Sequence, residues 1–367
     1  MAGCDAAKWS PRNIVRDNIN ILVLGVGGNV SQGILKALAL CNLSCRVVGA
    51  CISSRSFGLY TVDKAYISPT ASDPRFLDWL VRVCRTEQIH AVLSGVEPVL
   101  AVLAEQAHTV HSETGAICLV SPSECLAVGA DKLLTCRWLQ DRGFAFPRYA
   151  AAEDAASVNA LVCECGYPLI AKPRHGKGAH GVSIVQSDEE LQLITQREAY
   201  VVQEYLGQPD QEYTAGCFSD REAKVRGAIV LRRELLGGTT YRAEAGSFPS
   251  VRQEAIRIAE ALRPTGPCNL QMRLHRDIAV CFEINIRFSG TTSLRARFGF
   301  NDVEAALRHY VLGQPAADLP LVTRGIALRY WNEAYVDLEA VAELDRFSQL
   351  DRPKRYKIAI EDYGIPQ

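Results

Sequence analysis

The sequence lacks the features that would place a protein in a membrane, on nucleic acid or outside the cell. No apolar run reaches the ~20 residues that span a bilayer. Lys and Arg total 40 against 41 Asp and Glu, a formal net charge of −1, so the basic excess of a nucleic-acid binder is missing. The opening residues, MAGCDAAKWSPRN, hold no apolar signal core, which argues against secretion. Internal repeats and low-complexity segments are absent. Zinc-type spacing is missing as well: Cys163 and Cys165 are the closest pair among thirteen cysteines, and no second pair accompanies them. Most cysteines sit in apolar stretches, such as Cys118 in AICLV and Cys281 in AVCFE, as reduced, packed thiols of a cytoplasmic protein would.

What is present is an ordinary globular composition, 48% hydrophobic and 22% charged over 367 residues, with room for two or three domains. Residues 20–28, NILVLGVGG, form an apolar strand ending in glycines, and SQGILKALALC follows at helical spacing. Strands are predicted at Cys45–Cys51, Lys64–Ser68, 90–96 and 116–122, with a helix over 72–86. This alternation predicts a doubly wound parallel α/β unit ending near residue 123. A helix over 131–143, closed by Gly143, opens a different pattern. Cys165–Ala171 reads as a turn and a strand, and the segments from 200 to about 290 read as strands joined by turns. A helix fits 302–312, and GIALRYW and YKIAIED read as edge strands or a small cap. The whole is an α/β domain followed by an α+β region.

Four stretches carry chemistry. LGVGGNVSQG (24–33) could seat a phosphate at a helix N-terminus, but Val30 takes the third glycine position and Cys51 stands where a ribose-binding acid would be. A tight strand–helix turn without a dinucleotide is the better reading. In IAKPRHGKGAHGV (170–182), Lys172 ends a strand, and Gly176, Gly178 and Gly181 form a loop bearing Arg174, His175 and Lys177. Such a loop suits a flap over a polyphosphate, although it is not a Walker loop. VVQEYLGQPDQEYT (201–214) pairs Glu204-Tyr205 with Glu212-Tyr213 across a turn containing Pro209. By itself it reads as a polar strand–turn–strand.

The fourth stretch, CFEINIRFSG (281–290), alternates Glu283, Asn285, Arg287 and Ser289 with Phe282, Ile284, Ile286 and Phe288. Upstream, CNLQMRL puts Asn269 and Gln271 on one face. A three-residue HRD loop would set Asn269 opposite Glu283 and Gln271 opposite Cys281, gathering the polar groups on one surface. Oxygen ligands without Cys or His suit a hard cation such as Mg²⁺ shared with phosphate. A guanidinium two residues on would stabilise a phosphoryl group in transfer.

These motifs, in this order, resemble the ATP-grasp superfamily, most closely the synthetase modules of the carbamoyl-phosphate synthase large chain, over roughly residues 20–312. The resemblance implies an α/β domain (1–123), then two α+β subdomains clasping ATP (124–198 and 199–315), then a C-terminal cap (316–367). It implies Mg²⁺ on Gln271, Glu283 and Asn285, and Arg287 on the transferred phosphoryl group. Lys132 and Lys172 would contact phosphates, with Lys172 also at the adenine edge. Gly176, Gly178 and Gly181 would close over the phosphates. Gln203, Glu204, Tyr205 and Leu206 would receive adenine, and Glu212 the ribose. The basic Arg174-His175-Gly176-Lys177 run departs from the small-residue loop common in the group, and one module alone cannot run the whole carbamoyl-phosphate reaction.

The implied activity is an ADP-forming carboxylate–amine ligase using ATP and Mg²⁺ on small, amino-acid-like substrates. A kinase and a silent nucleotide sensor are the alternatives, and homodimers are common in the group. Arg233 or Arg242, in 232–246, is a candidate clamp for the acceptor, although an exposed basic hairpin reads equally well. Arg295 and Arg297 are candidates on the same terms.

Overall fold

The computed structural model describes residues 18–176, 178, 180–207, 212–320, 324–351, 356 and 358–360. The MAGCDAAKWSPRN stretch, Lys177, Pro209 and the end of YKIAIED lie outside the described residues.

The first unit runs β1 (Ile19–Leu24), α1 (Asn29–Ala39), β2 (Cys45–Cys51), β3 (Lys64–Ile67), α2 (Phe76–Thr86), β4 (Ala91–Ser94), α3 (Glu97–Thr114) and β5 (Ile117–Cys118). Its strands lie in the order β3-β2-β1-β4-β5, all parallel, so the order reverses beside β1. The crevice at such a reversal, beyond the strand C-termini, is where ligands gather in open α/β sheets. The sequence reading named no helix between β4 and β5. α3 fills that gap, entered by Pro98 in its first turn and closed by Gly115 in the left-handed region (φ 76).

Two short helices, α4 (Ser123–Ala130) and α5 (Lys132–Asp141), lead into the second unit. It comprises β6 (Tyr149–Ala151), α6 (Ala155–Cys165), β7 (Leu169–Pro173), β8 (Ser183–Val185), α7 (Asp188–Thr195) and β9 (Tyr200–Glu204). These four strands form an antiparallel sheet in the order β6-β9-β7-β8.

The third unit runs β10 (Glu212–Ser219), β11 (Val225–Leu236), β12 (Thr239–Ala245), α8 (Pro249–Leu262), β13 (Gly266–His275) and β14 (Ile278–Asn285), followed by α9 (Thr292–Arg297) and α10 (Asp302–Ala306). The stretch from 200 to 290 is therefore not all strand. Val251, Ala255, Ile258, Ala259 and Leu262 recur at helical spacing, and α8 buries that stripe against the sheet. The expected helix over 302–312 turns π-helical at Leu307–Val311.

The expected β13–β14 register is corrected. The turn has two residues, Arg276 and Asp277, both at positive φ (50 and 62), as a tight hairpin turn of type I′ requires. His275 pairs with Ile278 and Met272 with Cys281. A bulge at Phe282 then shifts the register, so that Gln271 faces Glu283 and Asn269 faces Asn285. The extra residue reverses the alternation. Cys281 joins the helix-side core, whereas Phe282 and Val280 cluster with Leu206 on the opposite face.

The C-terminal segment supplies β15 (Gly325–Leu328), β16 (Ala334–Val336), α11 (Leu338–Phe347), β17 (Gln349–Asp351) and β18 (Ile358–Ile360). β15 extends the large sheet to β14-β13-β10-β11-β12-β15, while β17 adds antiparallel to β3 of the first sheet. β16 and β18 pair with each other. One segment thus touches the edges of both six-stranded sheets, and α11 buries Ala340 and Leu344 in the core that β1 also enters.

Arg295 ties the large sheet to the helices after β14. It is 1% exposed and donates to Asp302 (3.2 Å), Asn269 (3.2 Å), Thr291 (3.2 Å) and Ser289. Gly216 gives it room, because a Cβ there would overlap the guanidinium. Removing one partner of a buried ionic pair strands the other. Arg295→Met is therefore expected to cost about 3–5 kcal/mol in urea denaturation; a loss below ~1 kcal/mol would contradict this role.

Candidate functional site

A cleft of about 210 Å³ separates the four-stranded sheet from the large sheet. The β7–β8 loop roofs it: the Gly178 backbone lies against Gly238 in the β11–β12 turn so closely that a Cβ on Gly238 would collide with the Gly178 carbonyl. Gly176, Gly178 and Gly181 all have positive φ (122, 70 and 72), which licenses this sharp path. The basic residues at the loop's base are committed elsewhere. Arg174 pairs with Asp131, the N-cap of α5, at 2.5 Å, and His175 Nδ1 lies 3.0 Å from the Ala130 carbonyl. The Lys132 ammonium donates to the Gly176 carbonyl (3.1 Å), placing a cation under the loop.

Lys172 projects from β7 into the cleft, buried, with its ammonium 4.8 Å from the Phe282 ring centroid. Burial pulls its pKa down to about 8, only partly offset by the carboxylate of Glu283. On the hinge side, Gln203 is fully buried. Its Nε2 donates to Cys136 Sγ (2.9 Å), and its Oε1 has no partner among the described residues. Glu204, Tyr205 and Leu206 follow along the cleft wall.

Glu212 is held by two arginines. Arg233 reaches Oε1 at 2.8 Å, and Arg273 reaches Oε2 at 2.7 Å. Arg233 also donates to Gln271 Oε1 (2.7 Å). Across the corrected register, Glu283 Oε1 accepts from Gln271 Nε2 (3.0 Å) and Asn285 Nδ2 (3.0 Å). Asn285 Oδ1 accepts from Arg287 (2.8 Å), whose guanidinium continues to Glu97 Oε1 (2.6 Å). One carboxylate and two carboxamides thus stand in line between two guanidinium groups. A single carboxylate is a weak cage for a dication, but it suffices when phosphate oxygens complete the shell. The donor chemistry fits Mg²⁺ held jointly with a polyphosphate.

The structure brings Lys132, Lys172, Gly176, Gly178, Gln203, Glu204, Tyr205, Leu206, Glu212, Gln271 and Glu283 to this cleft, with Asn285 and Arg287 continuing the line from Glu283. Gly181 stands apart, at the loop's far end against Pro173 and Tyr200. Two acceptor candidates are corrected. Arg295 is sealed in the core and fully engaged there, and Arg242 lies on an exposed strand paired with Glu234 at 2.8 Å. Arg233 is buried beside Glu212 and Gln271 in the cleft, so it stands on neither an acceptor loop nor an exposed hairpin. Arg273, Phe282 and Glu97 were not read from the sequence. Phe282 needed the bulge, and Glu97 meets Arg287 across 190 residues of chain.

Residues 196–334 match the family model described as ATP-grasp in the biosynthetic pathway with Ter operon. Residues 21–118 match the PylC-like N-terminal domain. The chain therefore carries an ATP-grasp domain behind a PylC-like N-terminal domain. Within that class it is homologous to the carbamoyl phosphate synthase large chain. It is 24% identical over 370 residues to that protein from Rubrobacter xylanophilus, covering 91% of this chain and 33% of the relative. With the protein from Methanosarcina acetivorans it shares 25% over 256 residues, covering 64% and 23%. The chain spans about a third or less of these relatives' length.

Among solved structures, N5-carboxyaminoimidazole ribonucleotide synthetase from Thermus thermophilus has a similar fold (TM-score 0.67, 19% identity, 93% of this chain and 92% of that chain). So does the biotin carboxylase domain of Hydrogenobacter thermophilus 2-oxoglutarate carboxylase (TM-score 0.63, 15% identity, 84% and 74%). No helix among the described residues is long and apolar enough to cross a membrane.

The Lys172 pKa gives a protein-only check of the cleft. An ammonium whose pKa is about 8 when folded and 10.5 when unfolded binds its proton less tightly in the native state. Its contribution to stability therefore rises as pH increases between those values. Wild type is expected to gain about 1–2 kcal/mol of stability relative to Lys172→Met between pH 7.5 and 9.5 in urea denaturation. A difference that does not change with pH would contradict a buried Lys172.

Proposed function

We propose that this protein is an ATP-dependent carboxylate–amine ligase. The line Gln271–Glu283–Asn285–Arg287, set by the β13–β14 register beside Lys172 and beneath the glycine loop, carries this reading. In this reading residues 1–123 precede the grasp, 124–198 and 199–315 are its two halves, and 316–367 cap it. The protein acts in the cytoplasm on a small carboxylate and an amine, and a homodimer is the proposed assembly.

Gln203, Glu204, Tyr205 and Leu206 receive adenine, and the orphaned Gln203 Oε1 offers an acceptor to its exocyclic amine. Glu212, steadied by Arg233 and Arg273, takes the ribose hydroxyls. Lys132 and Lys172 neutralise phosphate charge. Gln271, Glu283 and Asn285 would hold Mg²⁺, which neutralises and orients the β- and γ-phosphates when bound. The substrate carboxylate oxygen attacks the γ-phosphorus while its bond to the ADP oxygen breaks, giving an acyl phosphate. Arg287 faces the group in transfer. The amine nitrogen then forms a bond to the acyl carbon. The bond to the phosphate oxygen breaks with its electron pair on phosphate, and the amine proton passes to solvent. The roof formed by Gly178 on Gly238 keeps water from the acyl phosphate.

The test supplies Mg²⁺ and ATP with pools of amino and keto acids, reading ADP, AMP, phosphate and product mass. Substrate-dependent ADP and phosphate, with a product lighter by one water than its two parents, is the expected result. A stable phosphorylated acid would make the protein a kinase, and AMP with pyrophosphate would overturn the phosphoryl chemistry. Glu283→Ala is expected to lower turnover by about a thousandfold or more, because it removes the one carboxylate of the line; turnover within about tenfold of wild type would contradict its role.

A further inference from the structure

Arg233 steadies Glu212, but that task uses only part of its donor set. It rises from β11 and is 8% exposed. Its Nε and one terminal nitrogen donate to Glu212 Oε1 at 3.1 and 2.8 Å, and the same terminal nitrogen donates to Gln271 Oε1 at 2.7 Å. The other terminal nitrogen reaches Thr240 Oγ1 in β12 (3.4 Å). One planar group therefore joins the carboxylate assigned to the ribose to the first carboxamide of the cation line.

That contact fixes which way the Gln271 amide faces. A guanidinium has no acceptor, so the carboxamide turns its oxygen to Arg233. Its nitrogen then points at Glu283 and donates to Oε1 (3.0 Å). Turned over, the amide would set its NH₂ against the guanidinium and its oxygen against the carboxylate, losing both bonds. Asn285 repeats the arrangement from the other side, with Oδ1 on Arg287 (2.8 Å) and Nδ2 on the same Glu283 oxygen (3.0 Å). The two carboxamides thus cap Glu283 Oε1 with N–H groups and face their oxygens to arginines. A hard dication needs those oxygens, and the N–H groups repel it. Entering alone it also meets the Lys172 ammonium, which lies close enough to Glu283 to feel its charge.

We propose that Arg233 is a positioning residue that latches the Gln271 oxygen away from the cation seat until a nucleotide enters. Charged phosphate oxygens are stronger acceptors for a guanidinium than a neutral carboxamide oxygen is. Arg233 lines the cleft, so a polyphosphate seated there competes for its N–H groups. The released amide turns about its terminal torsion, which has a broad, two-fold profile, and its oxygen joins the seat. Nucleotide and cation then bind in mutual dependence, and the protein without nucleotide leaves the free dication unbound. The inference rests on the ligase reading for the identity of the two seats.

Mn²⁺ binding to the full chain without nucleotide, followed by electron paramagnetic resonance, tests the latch. In wild type no site is expected to fill below about 1 mM Mn²⁺. Arg233→Lys keeps the charge, but its compact ammonium lacks the fork and takes the charged Glu212 before the neutral amide. It is expected to bind Mn²⁺ about tenfold or more tightly than wild type, and adding Gln271→Met should abolish the gain. Structural damage alone would not raise affinity. Arg233→Met is the second variant should Arg233→Lys not fold. Its reference is Arg273→Met, which takes the same charge from Glu212 without touching Gln271 and should gain less. A wild-type site filled by Mn²⁺ alone below that concentration, an Arg233 variant no tighter than its reference, or a gain that survives Gln271→Met would overturn the latch. Mn-ADP binding in the same samples separates the two claims: wild type that holds Mn-ADP confines the failure to the latch, and wild type that holds none removes the ligase reading too.

Discussion

The register of one hairpin sets the geometry on which the candidate site depends. A two-residue turn alone would leave β14 out of phase with β13, and the carboxylate of Glu283 would face the α8 side. The bulge at Phe282 restores the phase in one step. It brings Glu283 opposite Gln271, sends Cys281 into the helix-side core, and turns Phe282 toward the cleft, where it underlies the Lys172 ammonium. One inserted residue therefore positions the carboxylate, one face of the lysine's surroundings and the cross-strand amide. The next residues, Asn285 and Arg287, extend the same line to the N-terminal domain.

Charge in and beside the cleft is balanced locally. Glu212 sits between Arg233 and Arg273, Asp131 holds Arg174 at the base of the loop, and Arg287 spans Asn285 and Glu97. The Arg273–Glu212, Arg174–Asp131 and Arg287–Glu97 pairs join segments 61, 43 and 190 residues apart, so these ion pairs also fix the relative placement of the elements. In low-dielectric surroundings such pairs add little net stability, yet breaking one is costly. Lys172 is the exception, because desolvation outweighs its nearby acids and moves its pKa to about 8. Nearby phosphate would favour its charged form, which couples protonation of this lysine to occupancy of the cleft.

Much of the fold was legible because β1 and β2 are apolar runs cut by glycines, and because α5 begins at an Asp cap. The parallel order around β1 follows from the strand–helix alternation. α8 was hidden because its apolar positions are interleaved with Arg252, Glu254, Arg257 and Glu260, in a stretch whose flanks read as strand. The site line from Glu283 to Arg287 could be read because strand alternation survives on that side of the bulge. The bulge itself could not, since nothing in CFEIN marks Phe282 as the extra residue. Arg295 was misjudged for a related reason. A lone arginine after a polar loop looks exposed, and only Gly216 opposite it reveals the buried slot. Glu97 carries no local signal; tertiary contact alone brings it to Arg287.

Gln271, Glu283 and Asn285 are proposed to form one cation-and-phosphate platform. The measurement that tests it most directly is a crystal structure of the protein soaked with Mn²⁺ and a non-hydrolysable ATP analogue, with the metal located by anomalous scattering. Manganese is expected within about 2.3 Å of a Glu283 carboxylate oxygen, bridging the terminal phosphates, with the Lys172 and Arg287 cations directed at the same phosphates. A nucleotide bound elsewhere, or a metal held without Glu283, would contradict it.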